Sequence, residues 1–300
     1  MKQNIPRINS ICMRCVAKDR VNQFPEDASE EDKVTYINAV FKELAKMKNQ
    51  HGPTIATRNI YDLQKNMFGY HKSYLELRTK FNSILMEREE EIRKSIQESE
   101  DSLKAAVQYA IAGNYIDFMV MKNVDVETLK KLLQEAPNYE IDRDALELLR
   151  EDIQKAQRLV YLTDNCGEIV IDKLVMEQLS KINPALQITA IVRGEEILND
   201  ATMEDANQIG LADVAHVIGN GDSLPGTCLY RISDEAKDEI EHADIVISKG
   251  QGNLEMLQGC DFNLYHIFLC KCEMISEMFK VPKFTPMLVK EGTQSLNVDL

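Results

Sequence analysis

Apolar residues in the first half of the chain recur at three- and four-residue steps, the spacing of one helix face. Val34, Ile37, Val40, Phe41 and Leu44 form one such stripe, Leu75, Leu77, Phe81, Ile84 and Leu85 a second, and Leu103, Val107, Ala110 and Ile111 a third. From Glu31 to about Arg150 no run alternates as a strand would. Met86 to Lys104 is too charged to be buried all round and keeps only Ile92, Ile96 and Leu103 as a narrow stripe, which predicts one long exposed helix. Pro137-Asn138 ends the next helix, and one more is expected from Asp142 to Ala156.

The pattern changes after Gln157. Short β-branched runs now alternate with amphipathic segments: RLVYLT (158–163), QITAIV (187–192), VAHVIG (214–219), DIVISK (244–249), NLYHIFLC (263–270) and MLVK (287–290). Helices are expected from about Glu168, Thr202, Ser233, Leu254 and Glu273. Strands alternating with helices of this length read as right-handed crossovers in a mainly parallel sheet covered on both faces. The expected fold is therefore α/β: a helical N-terminal region, 1–156, covering a cleft in a doubly wound, mainly parallel α/β/α sandwich, 157–300. The last ten residues, EGTQSLNVDL, read as a frayed tail.

Charge narrows the partners. Forty-nine acids against 35 Lys and Arg leave a net charge of −14, which disfavours nucleic acid and anionic membranes and leaves small ligands and cations open. No apolar run suits a signal peptide or a membrane span, and the seven cysteines sit mostly in apolar runs, so a reducing cytoplasmic setting without disulfides is expected. Oligomeric state is left open.

In an open parallel sheet, ligands bind beyond the carboxyl ends of the strands. The first run ends in Thr163-Asp164-Asn165-Cys166-Gly167-Glu168, the second in Arg193-Gly194 with Asn199-Asp200 following, and the fourth in Lys249-Gly250-Gln251-Gly252-Asn253 with Glu255 just beyond. Asp164, Asn165 and Asp200 offer hard oxygen donors suited to Mg²⁺ or Mn²⁺. Arg193, Lys249 and the amides of the 250–252 glycine turn offer an anion cradle, so the set suits phosphoryl chemistry. Each piece also has a plain structural reading. Asp164-Asn165 makes an Asx turn, and Asn199-Asp200 before Ala-Thr caps a helix.

TDNCGE (163–168), ILNDATMEDA (197–206), SKGQGN (248–253) and AGNYIDF (112–118) resemble the signature segments of the DUF89 family of damage-control, or ARMT1-like, metal-dependent phosphatases, in order and spacing over nearly the whole chain. The resemblance implies that Asp164, Asn165 and Asp200 hold a divalent ion (Mn²⁺, Mg²⁺, Co²⁺ or Ni²⁺). It also implies that Lys249 and Asn253 stand beside the substrate phosphate, with Gly113, Asn114 and Asp117 near the cleft. Glu168 and Glu255 either touch substrate hydroxyls or occupy the acid-favouring first turn of their helices. Cys12 and Cys15 are similar to the Cys-x-x-Cys mark of the mainly prokaryotic subfamily. The chain departs from the family pattern at Cys166, where Ala or Ser is usual, and at HKSYLE (71–76), where many members have Asp-Pro-Tyr.

Hydrolysis of a small phosphorylated metabolite is the expected activity, with Asp164 and Lys249 as catalytic residues and either water or Asp164 attacking phosphorus. Asn199, Gly250 and Gly252 join Arg193 as expected substrate contacts. Two other classes compete. One is an S-adenosylmethionine-dependent methyltransferase, weakened by the lack of a Gly-x-Gly cluster after the first strand; the other is a non-catalytic metal- or metabolite-binding protein. Cys12 and Cys15 are half a zinc site that Cys270 and Cys272 could complete, although two reduced thiols are the simpler reading. His216 and His266, inside apolar runs, are expected to be core histidines.

Overall fold

The computed structural model describes residues 8–47, 52–69, 74–116 and 125–293. Helices fill the first half: α1 (Ser10–Arg20), α2 (Glu30–Lys46), α3 (Pro53–Phe68), α4 (Leu75–Met86), α5 (Glu89–Glu98), α6 (Ser102–Gly113), α7 (Val126–Glu135) and α8 (Arg143–Lys155). The second half alternates β1 (Arg158–Leu162), α9 (Glu168–Ile182), β2 (Gln187–Val192), α10 (Met203–Gln208), β3 (His216–Gly219), α11 (Asp234–Glu241), β4 (Ile245–Lys249), α12 (Gly250–Leu257), β5 (Leu264–Leu269), α13 (Glu273–Phe279) and β6 (Pro286–Lys290). The tail residues 294–300 lie outside the described residues.

The strands form one six-stranded sheet in the order β3-β2-β1-β4-β5-β6, parallel except for β6, which runs antiparallel to β5. The chain leaves β1 toward β2 on one side and later returns to β4 on the other. The crevice of a doubly wound sheet therefore opens between the carboxyl ends of β1 and β4. Alternation along β1 builds both layers: Leu159 and Tyr161 enter the apolar cluster under α6 and α9, while Val160 and Leu162 enter the one under α11.

The N-terminal helices have no apolar core of their own. Buried side chains of α4, α5 and α6 share one cluster with β1, β2, β4 and β5, and those of α1, α2 and α3 share another with Phe268, Met287 and Val289. Every residue of α6 from Leu103 to Gly113, except Lys104, is buried, so it is a central helix whose apolar positions run right round.

Two expectations are corrected here. Met86 to Lys104 is two helices and not one exposed rod: Asp101 caps α6 by accepting from the Lys104 amide at 3.0 Å, and Ile92 and Ile96 of α5 are buried. His216 is exposed, because the third strand starts only there. His266 is buried as expected, with Nδ1 2.6 Å from Ser248 Oγ and Nε2 3.2 Å from Glu291 Oε2. Replacing Ile96 with Ala should lower unfolding free energy by about 2–5 kcal/mol in urea titrations; a change near zero would mean α5 does not dock.

Candidate active site

The crevice is a cleft of about 580 Å³. Asp164, Asn165, Asn199, Asp200, Gln251, Gly252 and Lys271 line it from the sheet side. Two loops make its floor by joining backbone to backbone. Ala201 N–H donates to Asp164 O at 2.7 Å, Cys166 N–H to Asn199 O at 2.8 Å, and Asn165 and Asp200 pair as an isolated bridge. Cys166 is buried in this turn.

The carboxylates are held in defined orientations. Asp164 Oδ2 accepts from Asn114 Nδ2 at 3.0 Å and from Asn165 Nδ2 at 2.7 Å. The same carboxylate lies against the α-carbon of Gly250, whose φ is +77°, and any side chain there would collide with it. Asp200 Oδ2 accepts from the Arg193 Nε–H at 2.7 Å in a buried ion pair. Asn165 Oδ1 accepts from Asn199 Nδ2 at 2.9 Å. The expected helix from Leu254 starts earlier, so Gly250, Gln251, Gly252 and Asn253 form the first turn of α12. Asp164 thus sits where a helix dipole favours an anion.

Several expected contacts lie behind this floor instead of on it. Lys249 is fully buried, its Nζ 2.8 Å from Asp172 Oδ1 and 3.4 Å from Glu168 Oε1, with a further bond to Ala110 O at 3.3 Å. Its expected place beside the phosphate is therefore corrected. Strand alternation puts Lys249 on the face of Ile245 and Ile247, toward α6 and α9. Burial alone would depress the Lys249 ammonium, but the Asp172 and Glu168 carboxylates outweigh it and hold its pKa above the usual value. Burial raises both carboxyls, against the pull of Lys249. Tyr161 OH donates to Asp172 Oδ1 at 2.8 Å, completing the buried set.

Arg193 and Asn253 are likewise committed within the protein. Asn253 Nδ2 donates to Thr163 O at 3.0 Å and Lys249 O at 2.7 Å, and its Oδ1 accepts from Thr227 Oγ1 at 2.8 Å. Neither Arg193, Asn253, Asn114 nor Glu168 lines the cleft. Asn114 bonds Glu168 Oε2 at 2.8 Å as well as Asp164, and its Oδ1 accepts from the Leu269 amide at 3.1 Å. The missing side chain of Gly113 lets α6 approach α9, where a Cβ would come within 2.8 Å of Ile171. Asp117 and residues 71–73 lie outside the described residues.

Lys271 was missed in the sequence. It follows β5 at the same sheet edge, is buried, and donates from Nζ to Asn114 O at 2.5 Å. The rule that pointed to the ends of β1, β2 and β4 applies equally to β5. Of the cysteines, Cys12, Cys15 and Cys272 line the cleft and Cys270 does not. Burial pushes the Cys12 and Cys272 thiols each up to about 12 and raises Cys15, so they are neutral thiols. Among the described residues, no group of three or more His, Cys, Asp or Glu side chains is arranged to hold a metal, and Cys270 does not share the cleft with the other three cysteines. At the first turn, Gly167 N–H donates to Asn82 Oδ1 at 2.6 Å. No helix among the described residues is long and apolar enough to cross a membrane.

Comparison with known proteins places these features in context. A family model described as the damage-control phosphatase ARMT1-like domain matches residues 8–285. An uncharacterised protein of Methanocaldococcus jannaschii is 28% identical, with 95% of each chain covered. A damage-control phosphatase of Pyrococcus horikoshii is 28% identical over 91% of this chain and 94% of its own, and one of Archaeoglobus fulgidus is 29% identical over 76% and 77%. The crystal structure of a DUF89 family protein from P. horikoshii superposes with a TM-score of 0.79 at 25% identity, covering 95% of this chain and 99% of that one.

The buried cation yields a stability prediction. Lys249→Met leaves Asp172 and Glu168 without their counter-ion and should cost about 3–5 kcal/mol in urea unfolding. An unchanged midpoint would show that the ammonium is dispensable to the fold.

Proposed function

The chain belongs to the damage-control phosphatase ARMT1-like family, and from that premise we propose that it hydrolyses phosphate esters of small metabolites with a divalent ion held by Asp164, Asn165 and Asp200. The observation that carries this reading is the convergence of two carboxylates and a side-chain amide on the floor of one cleft, at the point where the sheet changes direction. The donors are hard oxygens, set by neighbours before any ligand arrives, and they suit Mg²⁺ or Mn²⁺ better than a thiolate-seeking metal. When bound, such an ion supplies Lewis-acid polarisation and charge neutralisation at the phosphate.

The chain's own groups do the positioning. Asn114 and Asn165 fix the rotamer of Asp164, and Arg193 fixes that of Asp200. Oxygens held this closely keep a productive geometry without reorganisation during the reaction. Lys271 is a buried cation on the sheet side of the cleft, and in this reading it, and not Lys249, takes charge that develops on the transferred phosphoryl group. Gly252 lines the cleft at the first turn of α12 and adds the helix N-terminal field to the same end. Two amide donors on Asp164 Oδ2 lower its nucleophilicity, which favours water as the attacking group.

Asp164→Asn and Asp200→Asn should each lower metal-dependent phosphate release from p-nitrophenyl phosphate by about 10³-fold or more while circular dichroism stays native. Asn is preferred to Ala because a cavity beside buried Arg193 would confound the result. Retention of full activity in either variant would falsify the ligand assignment. Gly250→Ala should be nearly inactive, since its methyl group displaces Asp164, whereas Gly69→Ala, whose methyl group meets nothing within 4 Å, should stay active in the same assay.

A further inference from the structure

The helix α1 lays a continuous stripe along the cleft. Ile11, Arg14, Cys15 and Lys18, spaced as positions i, i+3, i+4 and i+7, all line it. Lys283, in the segment between α13 and β6, lines the same cleft and bears on the Cys15 thiol electrostatically. Arg14, Lys18 and Lys283 are exposed, and their side chains make no ion pair or hydrogen bond with another described residue. Lys18 thus lacks the acid partner three residues away that Lys33, Lys46 and Lys130 have in Glu30, Glu43 and Glu127.

Acids also line the cleft. Asp19 is engaged by Arg20 at 3.5 Å and by Gln23 Nε2 at 3.0 Å. Glu255 stands among Cys12, Cys15 and Cys272, whose thiols it helps to hold neutral, and Glu273 is in the first turn of α13. The cleft thus has a metal-suited floor on the sheet side and, across from it on α1 and at Lys283, neutral thiols together with cations that have no partner among the described residues. Its 580 Å³ accommodates far more than a phosphate group.

We propose that Arg14, Lys18 and Lys283 form a second anion subsite, so that the preferred substrate is a metabolite carrying a phosphate ester and, at a distance from it, a second phosphate or a carboxylate. The inference rests on the phosphatase reading for which phosphate is cleaved. The floor holds the ester that reacts, the α1 stripe holds the second anion, and Cys12, Cys15 and Cys272 contact the neutral body between them. Selectivity against singly charged esters then comes from the helical region and not from the sheet.

The test measures binding of glucose 1-phosphate, glucose 1,6-bisphosphate and glucuronic acid 1-phosphate by calorimetry in Mg²⁺. The proteins compared are the unaltered chain and the triple variant Arg14→Ala, Lys18→Ala, Lys283→Ala. The unaltered chain should prefer the two doubly anionic probes by about tenfold, and the variant should reduce that ratio to within about twofold. Raising ionic strength should shrink the preference, because the three cations are exposed. Preference for the bisphosphate alone would restrict the subsite to phosphate, and preference for both assigns it to anions generally. No preference in the unaltered chain, or the same ratio in the variant, overturns the subsite. Phosphate release from the same probes is followed separately, so a lost preference without any turnover would uphold the subsite and defeat the phosphatase reading.

Discussion

A single ammonium group, Lys249 Nζ, joins the two halves of this protein. It lies at the end of β4, binds Asp172 and Glu168 on α9, and reaches the carbonyl of Ala110 in α6. A charge wholly removed from water is tolerable only when counter-ions and hydrogen bonds surround it. That requirement fixes α9 and α6 against β4 at one height. Glu168, once held there, accepts from Asn114 Nδ2, and the same amide donates to Asp164. The orientation of the carboxylate on the cleft floor is thus inherited from a cation that the cleft never sees.

The same chain of contacts explains why the helical region cannot be treated as a cover laid on a finished domain. Asn114 comes from the end of α6, Lys271 from the end of β5, and the two meet through the Asn114 carbonyl. Gly113 permits the approach, and Asn82 from α4 anchors the turn before α9. The net charge of −14 is consistent with this arrangement. Most acids lie on helix surfaces such as α5, where Glu89, Glu90 and Glu91 pair with nearby arginines. Three cations that make no ion pair with another described residue line one cleft.

Much of this was legible in the sequence. Short β-branched runs alternating with amphipathic segments located six strands, and the loops at their carboxyl ends supplied Asp164, Asn165 and Asp200, which the structure gathers on one floor. The family resemblance held as well. Lys249 was misplaced because its loop position was weighed and its strand parity was not: two residues after Ile247, it faces the same helices that Ile247 does. The break before α6 was hidden in a uniformly charged stretch, where Ser99 and Asp101 are cap residues as well as surface ones. Arg14, Lys18 and Lys283 had no local signature at all. They are ordinary surface residues until α1 and the segment before β6 meet across some 265 residues of chain.

The ion pair between Arg193 and Asp200 has one more consequence. Asp200 is neutralised by a cation of the protein, and Asp164 is satisfied by neutral amides and a helix terminus, so the two acids need no added ion to coexist. In zinc fingers the metal supplies the folding energy and its loss is denaturation. On the proposed function, an ion held between Asp164 and Asp200 would join an arrangement whose charges the protein already balances, so its binding would couple to the rotamers of those two side chains more than to folding.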